Sequence, residues 1–276
     1  MVIRQGTKNI PILMYHSISQ PARLRLRALC VPPVSFAAQV DYLHRNKYTL
    51  LNVTQLVHAL TGKTTLPERP VVLTFDDGYA DFYQHALPVL SRYHLTATLY
   101  IATGLVERTN PWDGASMLTW NQITEISSSG IECGAHTHSH PKLDTLPLTM
   151  ARKEIGRSKD LLEQHLGQEV TSFCYPYGYY TADVRRLVKE ADFTSACAVN
   201  HAMSSNTADH FTLERLMVFP NMNMRAFHAL LTQEGYLQLR KVYMHARIPV
   251  KHALRCGVAS MSRLFRERRD YSYEDA

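Results

Sequence analysis

VVLTFDDGY, Val71 to Tyr79, is an apolar run that ends in two adjacent carboxylates, Asp76 and Asp77, followed by a glycine. Val71–Phe75 is apolar on both faces. That predicts a strand buried on both sides, as in parallel sheets covered by helices. Two like charges at the mouth of such a strand repel one another, so a cation or a proton must compensate them.

Working outward, short apolar runs alternate with helical patterns. Strands are predicted at Ile12–Tyr15, Tyr48–Val53, Ala97–Ala102, Ile131–Ala135, Ser172–Tyr175, Phe193–Val199 and Leu213–Phe219. Between them lie helices capped by Ser35, Thr54 and Thr119, a helix over Thr181–Ala191, and a long helix over Thr149–Leu166 closed by Gly167. Asp81–Tyr93 is predicted helical, with a kink or break at Pro88. Alternating β and α units with some seven or eight strands point to a (β/α) barrel, with an open doubly wound sheet as the alternative. No G-x-G-x-x-G phosphate loop supports a nucleotide-binding fold.

The chain has 276 residues, 45% hydrophobic and 20% charged, enough apolar residues for a sizeable core and too many for disorder. Five cysteines without C-x-x-C spacing read as core thiols, Cys133 and Cys174 above all. Neither a secretory signal nor a membrane-spanning run is visible, so a cytoplasmic location is expected. Net charge is +6 with a pI near 9.0, and the excess is concentrated between Arg240 and Arg269. There Val250, Leu254, Val258, Met261 and Phe265 follow helical spacing among basic residues. This predicts a basic amphipathic helix, packed on the barrel or attached to an anionic membrane. The charge comes with no nucleic-acid motif, so nucleic acid is not an expected partner. The expected division is a barrel over 1–222 and a basic helical extension over 223–276.

Polar residues gather at the predicted strand ends. Ile12–Tyr15 runs into His16, Val71–Phe75 into Asp76 and Asp77, Ile131–Ala135 into His136-Thr137-His138-Ser139-His140, and Ser172–Tyr175 into Pro176-Tyr177-Gly178. Each motif alone reads as a turn or a solvated pair. Together they fall on the face where parallel barrels keep their chemistry. His136, His140 and one carboxylate make a three-ligand set for a catalytic divalent metal, with a position left for water. The other carboxylate then stays ionised as a general base. Because adjacent strand residues point opposite ways, a turn at Gly78 must bring both carboxylates into one pocket.

TFDDGY, HTHSH followed by Pro141, and YPYG, in this order, resemble the signatures of the polysaccharide deacetylases, the NodB-homology or carbohydrate esterase 4 family. The resemblance runs from about Pro11 to Val218. It implies a distorted (β/α) barrel of about seven parallel strands. It implies Asp76 as general base and Asp77, His136 and His140 as ligands of Zn²⁺, with Co²⁺ or Ni²⁺ as alternatives. It implies the Tyr177 N–H as an oxyanion donor, and Thr137 and Ser139 as supports of the histidine loop. His138 receives no role. Many members orient the base with an arginine where this chain has Cys174, and Arg215 is the candidate substitute. No Leu-x-His motif stands near the end of the domain. ILMYH at the start resembles the permuted biofilm poly-N-acetylglucosamine deacetylases, which makes His16 the expected general acid. Of the aromatic residues flanking the motifs, which include Trp112, Trp120 and Tyr180, Tyr79, Tyr175 and Tyr179 are the candidates for sugar contact. The expected substrate is an N-acetylated amino sugar in a polysaccharide or its precursor, hydrolysed to acetate and a free amine. The alternatives are hydrolysis of another C–N bond, in a cyclic amide, and non-catalytic carbohydrate binding.

Overall fold

The computed structural model describes residues 8–20 and 29–237. In chain order its elements are β1 (Asn9–Ile10), β2 (Ile12–Tyr15), α1 (Pro33–Arg45), β3 (Thr49–Leu51), α2 (Val53–Leu60), β4 (Pro70–Phe75), α3 (Leu87–Arg92), β5 (Thr98–Ile101), α4 (Trp120–Ser128), β6 (Glu132–Ala135), α5 (Leu148–Leu166), β7 (Ser172–Cys174), α6 (Ala182–Glu190), β8 (Ser195–Cys197), β9 (Ser204–Ser205), β10 (Leu216–Met217) and α7 (Met224–Leu230). Seven strands form one parallel row, β10-β2-β4-β5-β6-β7-β8. The ends of the row meet. Leu213, just ahead of β10, bridges Cys197 of β8 in parallel, with Ala198 N–H to Leu213 O at 2.8 Å and Leu213 N–H to Ala196 O at 3.0 Å. The result is the expected distorted (β/α) barrel. Part of the distortion lies at β4, which pairs β3 along Pro70–Val72 and β5 along Thr74–Phe75.

Period-two alternation sorts each strand's side chains between two cores. Leu13, Tyr15, Val71, Leu73, Phe75, Leu99, Ile101, Phe173 and Ala196 join the larger core with the helices. Ile12, Val72, Tyr100, Cys174, Cys197 and Leu213 fill the barrel interior, joined by Val53, Leu56 and Val57 of α2. Tyr100 is the largest of the interior side chains, and Gly134 makes room for it. A Cβ at Gly134 would stand 2.6 Å from the Tyr100 ring. Cys133, Cys174 and Cys197 are buried thiols without a disulfide, as core residues should be.

Local signals decide the element ends. Asn52, with Gln55, makes the capping box of α2 two residues before the expected Thr54. Pro33 opens α1 ahead of the expected Ser35. Thr119 and Gly167 cap as predicted, while Thr181 caps α6 instead of being its first residue. Pro88 does not break its helix. The preceding turn, Phe82–Ala86, widens to a π turn in which Leu87 N–H reaches Phe82 O, and α3 then follows. Phe227, Leu230 and Leu231 pack into the main core, so the barrel unit continues beyond residue 222. The basic segment 240–269 and its expected helix lie outside the described residues. Among the described residues no helix is long and apolar enough to cross a membrane.

Candidate active site

Even-numbered residues of β4, Val72 and Thr74, lie on the inward row, and Asp76 continues it to the barrel's C-terminal rim. Its carboxylate is buried and receives a bidentate pair from Arg215, at 2.6 Å to Oδ1 and 2.7 Å to Oδ2. Arg215 is itself fully buried. It also donates to Thr74 Oγ1 at 3.0 Å, to Ala198 O at 3.1 Å and to Cys174 Sγ at 3.0 Å. All five guanidinium donors have a direction to satisfy, and this fork matches a carboxylate better than an ammonium could. Burial alone would push the Asp76 carboxyl up. The Arg215 guanidinium outweighs it and holds the group well below the usual carboxylate range, so it is ionised.

Asp77 should point away from Asp76. Instead its own backbone is left-handed, φ 77°, and so is that of Gly78, φ 87°. The sequence assigns the turn to Gly78 alone; two consecutive left-handed residues are what carry the second carboxylate to the same rim. Asp77 Oδ1 lies 3.5 Å from His136 Nε2 and 3.3 Å from His140 Nε2. The three ligand atoms lie within 4.8 Å of one another. Two ligands of a tetrahedral Zn²⁺, each about 2.0–2.1 Å from the ion, stand about 3.3 Å apart, so this spacing fits such a centre.

The electrostatics fit as well. Among the described residues Asp77 Oδ1 is buried without a hydrogen-bond partner, a costly state unless a cation satisfies it. Burial pushes the Asp77 carboxyl up, and His16 and His136 pull it partly back. Burial lowers His136 and His140 to about 4, which leaves neutral imidazoles with lone pairs free near neutral pH. His136 Nδ1 is 2.8 Å from the Cys174 carbonyl, to which it can donate, turning Nε2 toward Asp77. The set Asp77, His136, His140 can therefore hold a divalent metal. Asp76 also lies near His136 and Cys174, but Arg215 already occupies its oxygens.

The remaining candidates separate. His16 continues the inward row Ile12, Met14 at the end of β2 and acts electrostatically on both aspartates and on His140. Tyr177 has a left-handed backbone, φ 60°, and its ring lies 4.8 Å from that of His140. Tyr179 is 53% exposed beside it. Tyr175 does not reach the rim as expected. Its ring is fully buried and stacked on Tyr180, and its hydroxyl donates to Phe211 O at 3.1 Å. The parity of β7 explains this, since Tyr175 shares the outward row with Phe173. Tyr79 is also buried. It donates to Asp113 Oδ2 at 2.8 Å and accepts from Asn110 Nδ2 at 3.1 Å. It therefore anchors the loop that carries Trp112, whose ring lies 5.1 Å from His140. Trp112 thus joins Tyr177 against the His140 ring. Trp120 packs away on His165 at 3.8 Å.

Gly178 fixes the turn that presents the Tyr177 N–H. Its φ is 74°, and a Cβ there would stand 2.5 Å from Val199 Cβ and 2.6 Å from Val199 N. Gly178→Ala is expected to cost about 2–4 kcal/mol, from the left-handed penalty and overpacking together. Urea unfolding measures this directly; an unchanged midpoint would refute the close approach.

Comparison with known proteins places this geometry. The sequence profile described as polysaccharide deacetylase matches residues 63–196. YxkH of Bacillus subtilis is 32% identical over 220 residues, 80% of this chain and 75% of that protein. The poly-beta-1,6-N-acetyl-D-glucosamine N-deacetylase of Staphylococcus epidermidis is 24% identical over 66% of each. Among solved structures, the Streptococcus pyogenes deacetylase PplD, in complex with acetate, superposes with TM-score 0.72 at 30% identity, covering 84% of this chain and 97% of that one. IcaB from Ammonifex degensii superposes with TM-score 0.69 at 26% identity, covering 84% and 95%.

Proposed function

Because the chain belongs to the polysaccharide deacetylase family, we propose that it is a metal-dependent hydrolase that removes acetyl groups from an N-acetylated amino sugar, in a polysaccharide or its biosynthetic precursor. The observation that carries this reading is the rim cluster, in which Asp77, His136 and His140 converge beside an ionised Asp76. Those three residues would hold a divalent cation, which when bound would supply Lewis acidity to the acetyl carbonyl and to a water.

The chain's own groups do the rest. Asp76, oriented on both oxygens by Arg215, takes the proton of the attacking water. The Tyr177 N–H donates to the oxyanion that develops on the former carbonyl, a contribution typically worth about 3–4 kcal/mol per donor. His16 gives a proton to the departing amine, so that acetate and a free amino sugar leave. Tyr179 and Trp112 offer ring faces to the sugar at the mouth of the cleft.

Acetate release tests the proposal. Zn²⁺- or Co²⁺-loaded protein is offered N-acetylglucosamine oligomers, a nucleotide-linked N-acetyl sugar and a lipid-linked one. Release from at least one, lost in Asp76→Asn, is the expected result. Metal-loaded protein that releases acetate from none of them would overturn it.

A further inference from the structure

His138, left without a role by the sequence, sits between two elements that grip the histidine loop. On one side the Gly104 N–H donates to His138 O at 2.7 Å, the Thr103 N–H donates to Thr137 O at 3.2 Å, and Thr103 Oγ1 pairs with His138 Nδ1 at 3.0 Å. A Cβ at Gly104 would stand 2.7 Å from His138 O, so that contact is close. On the other side Glu154 reaches over from α5. Its Oε2 accepts from the N–H of His138 at 3.0 Å and from the N–H of Ser139 at 2.7 Å, and its Oε1 accepts from the Ser139 hydroxyl at 2.7 Å. The Glu154 carbonyl takes the His138 N–H as well, at 3.2 Å. These carboxylate contacts go to His138 and Ser139, two of the three residues between the histidines.

The loop needs such a grip. Thr137 and His140 are both left-handed, φ 65° and 57°, conformations that cost energy and persist only where the surroundings fix them. Among the described residues His140 Nδ1 has no hydrogen-bond partner. What fixes His140 in the loop is its own N–H on Thr137 Oγ1 at 3.1 Å. Helix α5 is a rigid base, since Ala151, Ile155, Ser158 and Leu162 are buried along it.

We propose that Glu154 is a positioning residue for the metal site: by clamping His138 and Ser139 to α5 it pre-shapes the span between His136 and His140 for the ion. The inference rests on the reading of Asp77, His136 and His140 as a metal centre. Outer-shell partners of this kind commonly govern about 10–100-fold in metal affinity.

The test is Zn²⁺ affinity of metal-stripped protein, measured by competition with a chromophoric chelator. Glu154→Gln and Glu154→Ala are expected to bind Zn²⁺ about 10–100-fold more weakly than wild type. Ser139→Ala, which deletes a single hydroxyl, should fall between. Lys153→Ala, an exposed neighbour on the same helix, should match wild type. The thermal midpoint of each metal-free variant checks the fold, and Ser139→Ala and Glu154→Gln carry the test if Glu154→Ala does not fold. Glu154 variants that bind as tightly as wild type would overturn the clamp while leaving the metal reading intact. Zn²⁺ bound by no protein, wild type included, would overturn both.

Discussion

Replacing His140 by alanine is expected to remove metal binding and turnover together, lowering kcat/KM by about three to four orders of magnitude, since a Lewis acid is worth several kcal/mol and each 1.36 kcal/mol is tenfold. The loss is large because the proposed centre would have only three protein ligands in the set Asp77, His136, His140. With one gone, the Asp77 carboxylate keeps its burial and loses half of the imidazole pair that would share its cation. The fold should survive, because His140 sits at the rim and its ring contacts are with Trp112, His136 and Tyr177. Steady-state acetate release and metal content on the same preparation check both halves. A variant that keeps its metal, or that turns over at the wild-type rate without it, would remove Asp77, His136 and His140 from the mechanism.

Arg215→Met is expected to be the most destabilising substitution near the site, by about 3–5 kcal/mol, because it strands a buried charge. Methionine replaces much of the aliphatic volume but none of the fork that satisfies both oxygens of Asp76. Thr74 Oγ1, Ala198 O and Cys174 Sγ lose a donor at the same time. Adding Asp76→Asn should recover part of the loss, since the stranded charge disappears, and a double-mutant cycle on urea midpoints isolates that coupling. Strictly additive effects would mean that the pair contributes no coupling. Lysine should rescue poorly, as a point charge cannot bind the carboxylate bidentately.

Much of this arrangement can be read from residue parity. Val71–Phe75 announces a two-sided buried strand, and counting by two from Val72 through Thr74 leads to Asp76. The same count from Ile12 leads to His16. Applied to β7, it also puts Tyr175 outside with Phe173, the signal that would have removed it from the sugar-binding candidates. Asp77 violates parity, and its left-handed backbone is where the functional demand overrides the strand.

Other parts leave little local trace. The strand expected over Leu213–Phe219 forms only as the two-residue β10 and a one-residue bridge at Leu213, and nothing local shows that this bridge closes the barrel. Arg215 can be suspected from the missing arginine near Cys174, but its contact with Asp76 depends on that closure. Glu154 lies on a helix with no spacing motif to the histidines, and its role comes wholly from how α5 docks. Tyr79 looks like part of the aspartate motif, yet its hydroxyl is committed to Asn110 and Asp113, which only the loop's path reveals.

The most direct test of the central claim is a titration of chelator-stripped protein with Zn²⁺ while acetate release from an N-acetylated amino-sugar substrate is followed. Activity should be absent at the start, rise with added ion, and reach its plateau near one equivalent per chain. Acetate release that persists undiminished after stripping, with no response to Zn²⁺, would contradict a metal-dependent site built on Asp77, His136 and His140.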